Sequence, residues 1–301
     1  MKELKQLEDM IDINNKSKMV VVAAEEKNIL EAAVEVNEKG LISPVLVGDE
    51  TLIIEISKEN NLNIENIKII DCSNFEECVE KSIKLIKTGE GDFLVKGLVD
   101  TSILLKGVLS KDADLKTGKK LSHVMVYEIP LYHKLLMTTD GGMVTYPDVE
   151  TKMDLINNAF NVAQKLGYEE MKVASLAAKE KVNSKMKATI DGQDLKEKYL
   201  NGEFPKGVIV EGPISMDLAV SEKAAEIKDY KSEVAGDSDL LLFHNIEMGN
   251  GIGKAITYFG QGIGAGVVMG AKVPIVLVSR SDDFKSKYYS ILLGSLVSKK
   301  I

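Results

Sequence analysis

The densest concentration of reactive side chains lies near residue 280, where Ser279-Arg280-Ser281-Asp282-Asp283 follows an apolar run and precedes a helical pattern that starts at Lys285. A hydroxyl, a guanidinium and two carboxylates so close together can hold a phosphate and remove a proton beside it. The guanidinium binds two oxygens at once and a carboxylate serves as base. The two aspartates can equally cap the helix that follows. Arg280 carries extra weight because it is the sole arginine: of 38 Lys and Arg, the other 37 are Lys. In a chain that uses lysine everywhere else, a retained guanidinium marks a place for planar, two-point recognition of phosphate or carboxylate, which an ammonium performs poorly.

Other constellations are weaker. From Lys106 to Lys120, KGVLSKDADLKTGKK sets five Lys against two Asp, a local +3 in a chain of net charge -8. It would attract a phosphate-rich ligand, and it reads at least as well as a solvated loop. The stretches GNGIGK (249–254) and GQGIGAG (260–266) can offer backbone N–H groups to an anion, or act as turns and points of close packing. Neither has P-loop spacing or a strand-borne GxGxxG, so nucleotide hydrolysis and dinucleotide binding lack their signatures. His123, His133 and His244 fall at no metal-ligand spacing, and no CxxC or HExxH occurs, which argues against zinc. Cys72 and Cys78 could close a short loop, but in a cytosolic chain they read as two free thiols.

The elements that must position these residues follow from the apolar pattern. At 301 residues, 45% apolar and 28% charged, the chain has the length and composition of a two-domain globular protein. No run before residue 24 is long enough for a signal or membrane segment, so the expected compartment is the cytoplasm. The acidic balance disfavours nucleic acid. Short β-branched runs mark strands at 19–24, 43–48, 67–70, 93–96, 123–129, 135–139, 172–177, 207–212, 239–244 and 274–279. Amphipathic segments between them, such as Leu155, Ile156, Ala159, Phe160, Ala163 and Leu166 on one face, predict crossover helices and hence an α/β fold with mainly parallel sheets. A domain crossing is placed after Pro130, giving domain I as 1–130 plus 277–301 and domain II as 131–276. Ligands in such sheets sit beyond the carboxyl ends of strands. Those ends carry Lys96-Gly97, Thr138 to Gly142, Glu211-Gly212-Pro213, His244-Asn245 and Ser279 to Asp283.

The motifs at these ends resemble the phosphate acyltransferases, and among them the phosphate butyryltransferases. The resemblance rests on PVLVGD (44–49), VKGLVDT (95–101), TGKKLSHVMVYE (117–128), TDGGMVTYPD (139–148), VEGPISMDLAVS (210–221), EVAGDSDLLLFHNIEMGN (233–250) and PIVLVSRSD (274–282). It implies two α/β/α domains of the isocitrate and isopropylmalate dehydrogenase type, an active site in the cleft between them, and a homodimer or larger assembly. It implies acyl-CoA and inorganic phosphate as partners, with coenzyme A a substrate, and no metal or other cofactor. Ser279 and Arg280 match the family's active-site Ser-Arg pair, with the arginine on phosphate. The acetyltransferases' proposed base, seven residues after that serine, falls on Ser286 here, so Asp282 takes the role by resemblance to the butyryltransferases. Lys96, Thr101 and Asn250 are candidates for further phosphate and oxyanion contacts, and Lys119 and Lys120 for CoA. Asp140 can either orient loops or act chemically. Leu98, Ile103, Leu104, Met143 and Tyr146 are candidates to meet the acyl tail. Two other readings stand beside this one: a catalytically idle acyl-CoA-binding module, and a dehydrogenase suggested by fold kinship alone.

Overall fold

The computed structural model describes residues 1–278 and 282–299. Its contacts divide the chain into two compact units, the first comprising residues 5–119 and 265–301, the second residues 1–4 and 120–264. The first opens with α1 (Gln6–Asp9), β1 (Ser17–Val22), α2 (Lys27–Glu38), β2 (Ile42–Gly48), α3 (Glu50–Glu59), β3 (Lys68–Asp71), α4 (Phe75–Lys87), β4 (Phe93–Lys96) and α5 (Thr101–Val108). The second contains β5 (Ser122–Glu128), β6 (Leu136–Thr139), α6 (Val149–Lys165), β7 (Met171–Leu176), α7 (Lys187–Leu200), β8 (Val208–Ile214), α8 (Met216–Val220), α9 (Glu222–Ile227), β9 (Leu240–Leu242) and α10 (Ile246–Tyr258). The chain returns to the first unit along β10 (Ile263–Met269), followed by β11 (Ile275–Val276) and α11 (Phe284–Ser298).

In the first unit the strand order is β3-β2-β1-β4-β11-β10, parallel except for β10, which runs against β11. The chain steps outward from β1 to β3 and then crosses back to β4, so right-handed crossovers put their helices on opposite faces. Accordingly α2 packs with α3 and α11, whereas α4 packs with α5. In the second unit the order is β5-β6-β9-β7-β8, parallel except for the β5–β6 pair. There α6 and α7 pack together, while a separate apolar cluster gathers Leu218 and Ala219 of α8, Ala225 of α9, and Leu241 and Phe243 at β9.

The helices begin where a side chain can satisfy their first free N–H groups. Glu26 accepts from Asn28 and Ile29 at the start of α2, Asp148 from Thr151 at α6, Asn245 from Met248 at α10, and Asp283 from Ser286 at α11. The last of these helices is enclosed nearly all round: Tyr288, Ile291, Leu292, Leu293, Leu296 and Val297 are all buried. Six such side chains contribute on the order of 10 kcal/mol before entropy is charged against them.

The structure bears on several sequence expectations. By contacts the units divide at 119/120 and 264/265, beside an expected crossing after 130 and return at 277. The reason is pairing: Met125 of β5 lies opposite Thr138 of β6, and β10 and β11 pair with each other and with β4. GNGIGK lies within α10, and GQGIGAG leads into β10, a strand that alternation did not reveal. Most of their glycines serve close packing, Gly251 being in open space. A Cβ on Gly264 would lie 2.7 Å from the Met125 methyl and 2.8 Å from the Tyr127 ring. Finally, Cys72 and Cys78 are joined in a disulfide with Cα atoms 5.4 Å apart, because the chain turns back after β3 into the first turn of α4.

Two stability predictions follow from these contacts. Ala at Gly294 in α11 would gain about 1 kcal/mol of helix propensity, but its Cβ would lie 2.5 Å from Val276 Cγ2 and 3.0 Å from the buried Phe93 ring. Overpacking costs about 1–3 kcal/mol, so Gly294→Ala is expected to lower the urea midpoint; a raised midpoint would show that the sheet yields. The disulfide closes so short a loop that its chain-entropy contribution is only about 2 kcal/mol. Denaturant unfolding with and without reductant should differ by no more than that.

Candidate active site

In the first unit the strand order reverses about β1, so the loops after β1 and β4 diverge and leave a crevice at their carboxyl ends. The loop after β4 is held tightly there. Gly97 N–H donates to Val22 O at 2.9 Å and Leu98 N–H to Ala23 O at 2.7 Å. Any side chain at Gly97 would collide with the Ala23 carbonyl. Lys96 is buried, and its ammonium donates to Gly97 O at 3.0 Å and Val99 O at 3.1 Å. It therefore shapes the 97–100 loop while placing a positive charge at the crevice. Thr101 is exposed at the first turn of α5, where free N–H groups and the helix dipole favour an anion.

β11 lies beside β4, with Val276 opposite Val95, so the residues after β11 leave the sheet at the same edge as Lys96. Ser279 and Arg280 lie outside the described residues. What flanks them is well anchored. Val278 is buried, and α11 is fixed by the Asp283 cap at 2.8 Å and by Lys287, whose buried ammonium meets Glu26 at 2.8 Å. Asp283 is thereby assigned to capping, and Asp282, half-buried before it, is the remaining acid of the pair.

Of the lysines expected to meet CoA, Lys119 belongs to the first unit and Lys120 to the second. Both are exposed, and neither pairs with a carboxylate among the described residues. Backbone contacts fix their segment. Lys119 N–H donates to Thr117 Oγ1, whose hydroxyl donates to Gly270 O, while Lys120 N–H reaches Asp154 at 3.2 Å and its carbonyl accepts from Asn158 at 3.0 Å.

In the second unit Asp140 is buried and orients loops: its two oxygens accept from His123, Gly142 and Met143 N–H at 2.7–2.8 Å. Against this loop the first turns of α10 pack backbone to backbone. A Cβ on Gly141 would lie 2.7 Å from the Gly249 carbonyl carbon, and Asn250 donates to Gly141 O at 3.3 Å. Asn250 is thus exposed on a rigid turn. Among the residues expected to meet the acyl tail, Leu104 is fully buried, and Tyr146 is exposed with its hydroxyl on Glu247.

Sequence reasoning noted His244 only as a strand-end residue and missed its partners. Lys152 of α6 and Asp191 of α7 are both almost fully buried and pair at 2.5 Å. Lys152 also contacts His244 Nδ1 at 3.2 Å, and Lys187 meets the other Asp191 oxygen at 2.6 Å. Burial alone would raise the Asp191 carboxyl, but the bonds from Lys152 and Lys187 outweigh it and hold the group below the usual range. Burial, reinforced by the Lys152 charge, lowers the His244 imidazole below its ordinary range. A signal for Lys152 was present: it stands three and four residues before Leu155 and Ile156, on the apolar stripe of its own helix.

Among the described residues no group of His, Cys, Asp and Glu is arranged to hold a metal, and no helix is long and apolar enough to cross a membrane.

Comparison with known proteins is consistent over almost the full length. The phosphate butyryltransferase of Clostridium acetobutylicum is 37% identical over 281 residues, covering 93% of each chain. The phosphate acetyltransferase of Thermotoga maritima is 38% identical over 279 residues, covering 93% of this chain and 94% of that one. A solved branched-chain phosphotransacylase from Enterococcus faecalis V583 superposes with a TM-score of 0.83 at 30% identity, covering 94% of this chain and 99% of the other. The family model described as phosphate acetyl/butaryl transferase matches residues 3–85 and 76–294, and the chain belongs to that family.

Proposed function

We propose that the chain is a phosphate acyltransferase that interconverts a short-chain acyl-CoA and phosphate with an acyl phosphate and CoA. Its match to the phosphate butyryltransferase over nearly the whole length carries this reading. Overall identity does not choose the acyl group, because the relative named for acetyl transfer is as similar as the one named for butyryl transfer. The Lys-Gly pair of VKGLVDT and the SHVMVYE segment favour butyryl, and the likeness to a branched-chain phosphotransacylase makes branched acyl groups an equal choice. The dehydrogenase-like domain arrangement, the cleft location and a homodimer or larger assembly are the part of this reading that the resemblance supplies, and the cytoplasmic setting is the part that rests on the sequence's want of a signal or membrane segment. It requires no metal or further cofactor.

In the direction that makes acyl-CoA, Asp282 accepts the thiol proton and the thiolate sulfur attacks the acyl carbonyl carbon. The tetrahedral intermediate then collapses, the carbon–oxygen bond to phosphate breaks, and phosphate leaves on Arg280. In water a carboxylate is about four pK units too weak a base for a thiol, so the guanidinium must also stabilise the developing negative charge. Ser279, Thr101 and Asn250 supply hydrogen bonds to phosphate or oxyanion, and Lys96 supplies charge while holding its loop. Lys119 and Lys120, exposed and without a carboxylate partner among the described residues, draw in the CoA phosphates.

Release of CoA thiol that depends on phosphate, followed across acyl-CoAs of two to six carbons, straight and branched, tests the reading. The fastest release is expected with butyryl or isobutyryl. Acetyl as best substrate would reassign the chain among the acetyltransferases, and binding without release would leave an idle acyl-CoA module. Arg280→Lys keeps the charge but loses the fork, and is expected to cost about 1.5–3 kcal/mol, roughly 10- to 150-fold in kcat/KM. Asp282→Asn should lower kcat with little change in CoA affinity. Asp283→Asn should leave the rate intact, since asparagine caps as well as aspartate; a rate loss there instead would move the base by one residue.

A further inference from the structure

The second unit has its own point of strand-order reversal: β7 carries β8 on one side and β9 on the other. His244 stands two residues beyond β9, at the carboxyl edge where such a reversal leaves room for a ligand. Its side chain is 23% exposed, while the two groups that hold it, Lys152 and Asp191, are only 2% and 3% exposed. Burying an ammonium and a carboxylate costs several kcal/mol in desolvation and is a poor way to gain stability, so the pair calls for another purpose. Its geometry supplies one. Burial lowers the Lys152 ammonium while the bond to Asp191 opposes that; as an ammonium it has protons to donate and no lone pair to accept with, which at 3.2 Å casts Nδ1 of His244 as the acceptor. The ring proton is then confined to Nε2, and the more distant Asp191 Oδ2, 3.5 Å from Nδ1, does not compete for it.

We propose that His244 is a substrate-binding residue whose Nε2–H, fixed in tautomer and direction by Lys152 and Asp191, donates to a phosphoryl oxygen of the substrates. Lys152 and Asp191 are positioning residues. The inference rests on the acyltransferase reading for the identity of the substrates, but not for the tautomer or for phosphate binding. Two features favour a phosphoryl oxygen. The ring is held by Lys152 with its protonation disfavoured by burial, and the Lys152, Lys187 and Asp191 charges around it sum to one positive.

Imidazole-nitrogen NMR of the 15N-histidine-labelled protein reads the first part. With three histidines in the chain, the His244 signals are assigned by their loss in His244→Gln. The Nε2–H tautomer is expected at pH 7, with Nδ1 in the acceptor range. An Nδ1–H tautomer or an imidazolium would overturn the proposal. Titration of the same sample with inorganic phosphate, and separately with CoA, should shift the Nε2 signal. A response to phosphate alone assigns the acyl-phosphate site, a response to CoA alone assigns the CoA phosphates, and no response to either refutes the role even if the chain proves to be inactive. In turnover, His244→Phe should raise KM for the responding substrate at least tenfold with a smaller effect on kcat. His244→Gln, which keeps an N–H donor, should recover most of that loss. Lys152→Met should release the tautomer and reproduce part of the KM change. Should that variant fail to fold, the unmodified protein's titration and the two His244 variants decide the matter.

Discussion

The pairing of β11 with β4 is the constraint on which the candidate active site depends. Only two residues of β11 join the ladder, Ile275 opposite Leu94 and Val276 opposite Val95, far too few to hold a strand in place alone. What holds them is the helix that follows, whose apolar residues are buried against the same sheet and against α2. Lys287 adds a directional tie: a buried ammonium bound to Glu26, the residue that also caps α2. The described residues on either side of Arg280 are thus two fixed points, one in the sheet and one at the start of α11.

The two units bring polar chemistry to a strand edge by different means. In the first, Lys96 bends onto carbonyls of its own loop, and Gly97 lets that loop lie against the Ala23 carbonyl. Backbone groups are the partners, so the loop's shape and the lysine's position are one property. In the second, side chains from two different helices meet beneath one strand end. There position depends on how α6 and α7 pack, and a change in either helix would be felt at His244.

Much of this was legible in the sequence because the physics was local. Every apolar β-branched run read as a strand is one, including the last, although only Ile275 and Val276 of it enter a ladder. Strand β10 escaped because its glycines read as turns, when Gly264 is small because Tyr127 and Met125 press on it. The contact-based division differs from the crossing expected after Pro130 for a related reason: Pro130 marks a bend, but the partner that β5 chooses is a long-range fact. The disulfide depended on a turn whose closure the spacing allowed without requiring. The Asp282–Asp283 ambiguity was of another kind, since only cap geometry could tell which carboxylate serves the helix. The Lys152–Asp191 pair joins residues 39 apart, and Lys152, one of three buried lysines among the described residues, is marked in the sequence only by its place on an apolar stripe.

Because the first unit is built from residues 5–119 together with a segment that begins at 265, its completion is tied to the order in which a ribosome delivers the chain. The strands β1 to β4 emerge early but lack β11 and the cover of α11, so their apolar faces stay partly open while the intervening residues are made. The second unit, nearly continuous in sequence, can close on itself during that interval. If each unit closes only when all of its residues have emerged, folding of the nascent chain would run from the middle outward, with a half-finished sheet at its front that exposes aliphatic strands.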